Sequence, residues 1–223
     1  MLNQLNLSAK KLLLILFTAL VSALAVASTR DDEIAECRPG EISTWNDGID
    51  RPATSNVIKL SYNHDGAPYW FSRWDIEFAI NRAAREWSKC GISVALSSSS
   101  ISDSTVAIQW NEKESRGNMA LANLTQRTLS LSPAMFTTLR SRNPLHDGAQ
   151  TLQMTISHEM GHFLGLKAHS RRCVDVLSYY HDNAGSACST RDGLPMPRGA
   201  EYRHTLPTAC DIRRCRTVNN IPE

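Results

Sequence analysis

The chain has 223 residues, 42% of them apolar, with 24 basic and 22 acidic side chains and a formal net charge of +2. That near-balance provides no electrostatic footprint for nucleic acid or an anionic membrane, so neither is expected as a partner. The length suits one sizeable domain with a single core.

Lys10 and Lys11 precede an apolar run, Leu12 to Val26, that ends in Ala25-Val26-Ala27, a small-x-small site of the signal-peptidase type. The run is about 15 residues, short of the roughly 20 that a membrane-spanning helix needs. The expectation is an exported protein, extracellular or periplasmic, cleaved after Ala27. Residues 1–27 hold two lysines and no acids, so 28–223 would form a formally neutral mature domain. Its six cysteines, Cys37, Cys90, Cys173, Cys188, Cys210 and Cys215, imply three disulfides in an oxidising compartment. The pairing guessed here ties Cys37 to Cys90 and leaves the other four to staple the C-terminal part. No Cys-x-x-Cys pair supports cysteine zinc ligation.

Asn56 to Tyr62 alternates as a first strand, and Ser72 with Asp75 caps a helix whose buried face is Ile76, Ile80, Ala83 and Trp87. Gly91 ends it. Ile92, Val94 and Leu96 alternate as a strand, the serine run 97–100 makes a turn, and Val106, Ile108 and Trp110 alternate again. Met119 to Leu124 and Thr128 to Leu131 are two more short strands. Asp147 then caps a helix, with Gln150 three residues on and Leu152, Ile156 and Phe163 as its apolar stripe. Past Tyr180, Gly185, Gly193, Pro195, Pro197 and Gly199 punctuate a loop-rich tract, and Thr208 with Asp211 opens a short last helix.

The chemistry concentrates in His158-Glu159-Met160-Gly161-His162-Phe163-Leu164-Gly165, followed by His169. Four residues apart on a helix, His158 and His162 share a face where both imidazoles reach one ion. Glu159 projects beside them as a general base for a zinc-bound water. Gly165 lets the chain turn sharply and swing His169 back as a third ligand. Three protein ligands leave a fourth position open, which is the catalytic rather than the structural zinc pattern. The alternative for a bare His-Glu-x-x-His string is a polar helix face.

These residues resemble the metzincin metalloproteases, whose long motif is His-Glu-x-x-His-x-x-Gly-x-x-His with a methionine turn downstream. The third histidine would fall at Ala168, so His169 comes one residue late, and Leu177 stands where the methionine would be. Leu166-Lys167-Ala168-His169-Ser170 is similar to a matrixin Leu-x-His-Ser with one residue inserted. The resemblance covers about residues 54–180. It implies an α+β zincin fold with a twisted mixed sheet, two long helices and a loop-rich, disulfide-bonded C-terminal subdomain, divided at about 54–165 and 166–223. It implies a zinc endopeptidase with His158, His162 and His169 as ligands, Glu159 as base, and Tyr179 stabilising the transition state; a buried aromatic is the other reading of Tyr179. It also implies a protein or peptide substrate paired as an extra strand along residues 117–122. Asp175 and His181 are alternative third ligands, while His146 and His204 read as ordinary surface or core histidines. A catalytically inactive secreted zinc-binding or protein-binding module of the same fold is the alternative function.

Overall fold

The computed structural model describes residues 30–97, 105–179, 185–193, 196 and 201–222. The expected signal segment, His181, the serine run beyond Ser97, and Pro195, Pro197 and Gly199 lie outside the described residues.

A five-stranded mixed sheet carries the first two-thirds of the chain, with β1 (Val57–Tyr62), β2 (Ser93–Leu96), β3 (Thr105–Trp110), β4 (Ala120–Asn123) and β5 (Thr128–Leu131) in the order β2-β1-β3-β5-β4. β2, β1, β3 and β5 run parallel, and β4 pairs antiparallel with β5 through Ala120↔Leu131 to Asn123↔Thr128. The parallel strands are apolar where they face helices: Ile58, Leu60, Val94, Val106, Ile108, Leu129 and Leu131 are all buried. β4 closes one side of the sheet, and no strand among the described residues pairs with its outer edge.

Residues 30–35 form the short helix α1. Helix α2 (Arg73–Trp87) starts at the expected capping box, with Ser72 and Asp75 each accepting from the other's backbone N–H, and buries Ile76, Ile80, Ala83 and Trp87. Helix α5 (Gly148–Phe163) starts at Asp147, whose carboxylate accepts from Ala149 N and Gln150 N. α2 and α5 pack together through buried polar contacts as well as apolar ones. Trp87 Nε1 donates to the Ser157 carbonyl at 2.8 Å, and Gln153 Nε2 donates to the Ala79 carbonyl at 3.0 Å. Gly161 makes that approach possible, since a Cβ there would sit 2.8 Å from Trp87 Cζ2 and 3.1 Å from Leu177 Cδ1.

Three helices were not foreseen: α1, α3 (Glu112–Ser115), capped by Asn111, and α4 (Pro133–Arg142), capped by Ser132 with Pro133 in the first turn. α4 buries only Phe136, so no apolar stripe announced it.

Helix α6 (Ala209–Val218) opens on the expected Thr208/Asp211 capping box. The cysteines pair as Cys37–Cys210, Cys90–Cys215 and Cys173–Cys188. The guess of Cys37 with Cys90 is therefore corrected. Cys90 closes the 3-10 turn that extends α2 and faces α6, while Cys37 reaches the first turn of α6. Both long-range bonds converge on one helix that the sequence marked as short and terminal.

Residues 43–53 form a strap that runs back along the turn after α5. Thr44 bridges Ser170, Trp45 N donates to the His169 carbonyl, and Arg51 N donates to the Gly165 carbonyl. Asp50 accepts from Lys167 N and Ala168 N and is held by Arg214 Nε at 2.7 Å. Gly48 lets the strap lie close, because a Cβ there would be 2.6 Å from the Lys167 carbonyl oxygen.

Candidate metal centre and cleft

α5 presents His158 and His162 one turn apart on the face turned towards β4. Their Nδ1 atoms each lie 2.7 Å from a carbonyl oxygen, that of Val176 and of Leu166 respectively. A carbonyl only accepts, so both rings carry their proton on Nδ1 and keep the Nε2 lone pair for a ligand. Gly165 follows with φ +95°, and a side chain there would collide with the Arg51 carbonyl. The chain reverses at that point and returns His169.

The extra residue between Gly165 and His169 is absorbed by the strap. Asp50 takes the amides of Lys167 and Ala168, and Asp47 takes the next one, His169 N, at 2.9 Å. Asp47 Oδ2 also accepts from His169 Nδ1 at 2.6 Å, which fixes this third ring in the same tautomer as the others. Ala168, where the resemblance would have put the third ligand, is buried.

One ligand atom from each of His158, His162 and His169 lies within 4.8 Å of the other two, so the three could hold a metal ion. Two observations fit that role. His169 Nε2 is buried without a hydrogen-bond partner, an arrangement that costs free energy unless a ligand answers it. Burial first, and then the neighbouring imidazoles, push His158 well below the ordinary histidine range; burial and His162 lower His169 to about 4 despite Asp47. Neutral rings are what a metal requires.

Glu159 is buried, and burial raises its carboxyl above the usual range. Its Oε2 accepts from Ala122 N on the bare edge of β4 at 2.8 Å, which sets the carboxylate between the edge strand and the histidines. Tyr179 is 43% exposed and stacks on His169, with ring centroids 3.6 Å apart and planes at 17°. Leu177 is fully buried against Gly161, filling the floor under the helix between the two histidines.

These groups sit in a cleft of about 530 Å³ lined by Asn118 to Ala122 of the edge and Asp47 to Ile49 of the strap, with Met154 and Arg203 also in its wall. The other described histidines are elsewhere: His64 Nδ1 pairs with the Tyr62 hydroxyl, His146 Nε2 bonds Thr151 Oγ1 and His204 Nδ1 bonds the Leu206 carbonyl. Asp175 is buried among Ser170, Thr208 and Arg172, apart from the three-histidine group. Asp47 and Asp50 escaped the sequence reading. They lie more than 115 positions from their partners, in a stretch with no motif to mark them.

No protein-family model matches the sequence, and no curated protein matches it. Thirteen chains of solved structure match, among them the crystal structure of myroilysin, at 12% identity over 85% of this chain and 95% of that one, with a TM-score of 0.43. A likeness of that depth fixes neither a fold family nor an activity.

Proposed function

We propose that this chain is an exported zinc-dependent endopeptidase of metzincin-like, matrixin-like build. The observation that carries the reading is the convergence of three Nδ1-protonated histidines on one point beside a buried glutamate, in an open cleft flanked by a bare sheet edge. His158, His162 and His169 would hold the ion. A zinc ion so held supplies a Lewis acid that polarises the scissile carbonyl and offsets the negative charge developing on its oxygen.

The chain's own groups do the rest. The edge of β4 aligns an extended peptide by main-chain hydrogen bonds, with Ala122 N committed to Glu159 and the remaining outward groups of residues 117–122 left for substrate. Glu159 accepts the proton of the attacking water on its carboxylate and delivers it to the leaving amine nitrogen. Tyr179 keeps His169 in plane by stacking and offers its hydroxyl to the oxyanion. Asp47 holds the third ring in register. Three disulfides are bonds that an oxidising compartment maintains, and among the described residues no helix is long and apolar enough to cross a membrane; both fit an extracellular or periplasmic setting.

The test pairs metal content with cleavage. One zinc per chain and chelator-sensitive cutting of a peptide library are expected, with Glu159→Gln keeping the zinc and losing at least about a hundredfold in turnover. Bound zinc with no cleavage would instead mark a secreted binding module. Full activity in Glu159→Gln would remove the glutamate from the mechanism.

A further inference from the structure

A second cavity, about 230 Å³, opens beyond His162 at the far end of the cleft and shares Leu124, His162 and Lys167 with the first. Three cations line it from three separate parts of the chain: Arg51 from the strap, Arg127 from the turn between β4 and β5, and Lys167 from the turn after α5. Among the described residues, no carboxylate lines it. On the neighbouring strap, Asp50 is committed to Arg214 and two backbone amides, and Asp47 to His169. Arg51 and Lys167 are exposed. Pro52, Leu124 and Phe163 give the same cavity an apolar base that raises the worth of a charge contact.

We infer that this cavity is a substrate subsite for an acidic side chain, so that the enzyme favours peptides carrying Asp or Glu at a fixed distance from the bond it cuts. The inference rests on the endopeptidase reading. Spacing follows from the strand: Ala122 lies beside Glu159, and Leu124, two residues on, reaches the cavity, roughly 7 Å further along at the usual rise per residue. A peptide joining β4 antiparallel, the better-bonded arrangement, runs the opposite way and so brings the residue two or three positions before the scissile bond to Arg51 and Lys167. Arginine adds geometry to charge, since its planar fork pairs a carboxylate through two parallel hydrogen bonds.

The experiment is cleavage of a random peptide library by the oxidised, zinc-loaded protein, with cut sites read by mass spectrometry at low and high salt. Asp and Glu are expected to be enriched about three- to tenfold at those positions, the scale of a few partly exposed ion pairs, and to lose most of that enrichment in 0.5 M salt. Arg51→Ala with Lys167→Ala should abolish the bias, and Arg51→Glu with Lys167→Glu should turn it towards Lys and Arg. Both residues contribute hydrogen bonds through their backbones, which these substitutions leave in place. Cutting without an acidic bias, a bias on the other side of the bond, or the same bias in the charge-reversed variant would overturn the subsite alone. No cutting at all would overturn the endopeptidase reading with it.

Discussion

At the scale of single residues, a carboxylate 122 positions upstream of the third histidine does what the local sequence cannot. His169 arrives one residue late, and Asp47 corrects the delay by binding both its amide and its ring. Asp47→Asn keeps the size but removes the charge and leaves one acceptor oxygen for the two donors of His169, its amide and its ring. Zinc affinity should fall about 10- to 100-fold, read by competition with a coloured chelator; an unchanged affinity would show that the turn holds His169 unaided. Tyr179→Phe separates the two duties of that ring. It preserves the stack on His169, so metal affinity should hold while kcat drops and KM stays, whereas equal kcat for the two proteins would assign Tyr179 to packing only.

At the scale of elements, the turn after α5 is welded to the strap at its glycines. Gly165 combines a left-handed backbone with direct contact on the Arg51 carbonyl, so Gly165→Ala should destabilise the fold by more than about 3 kcal/mol in urea unfolding. A loss under 1 kcal/mol would mean that the strap yields easily. The same elements show what a sequence discloses. α2, α5 and α6 were legible because each begins with a side chain that caps it and because α2 and α5 bury regular stripes; the five strands were legible because their apolar residues alternate or run together. α4 was not, since a helix lying on the surface with one buried phenylalanine has no periodic signature. His158, Glu159 and His162 announce themselves by spacing, whereas Asp47, Asp50, Arg51 and the pairing of Cys37 with Cys210 depend on contacts between distant segments and leave no trace in local pattern.

For the whole molecule, two of three disulfides close loops spanning 173 and 125 residues, and the third spans 15. On the chain-entropy account, opening Cys90–Cys215 should cost about 5 kcal/mol and opening Cys173–Cys188 about 3. Thermal unfolding of the two paired Cys→Ser variants should rank them in that order; the reverse order would place the stabilising strain elsewhere. Acid should act at Glu41, near the Cys37–Cys210 bond. Burial alone would raise its carboxyl, but the Arg191 side chain, the Arg38 amide and the charge of Arg172 bring it down to about 2. A carboxyl depressed in the folded state adds stability that is complete above about 4.5 and disappears as pH falls towards 2. Glu41→Gln should therefore lower stability at pH 7 and flatten its decline between pH 4.5 and 2; an unaltered acid limb would exclude Glu41 as its source.

The strap has a consequence in time. The segment that braces the third histidine is made before any strand of the sheet, while the residues it braces emerge more than a hundred positions later, and the bond that anchors it waits for Cys210. Cys37 must therefore wait for 173 further positions to be synthesised before its partner exists. Until that bond closes, the strap that holds His169 through Asp47 lacks its covalent tie to α6. Under the proposed function, closure of Cys37–Cys210 would then act as a safety catch, coupling completion of the three-histidine group to an oxidising setting.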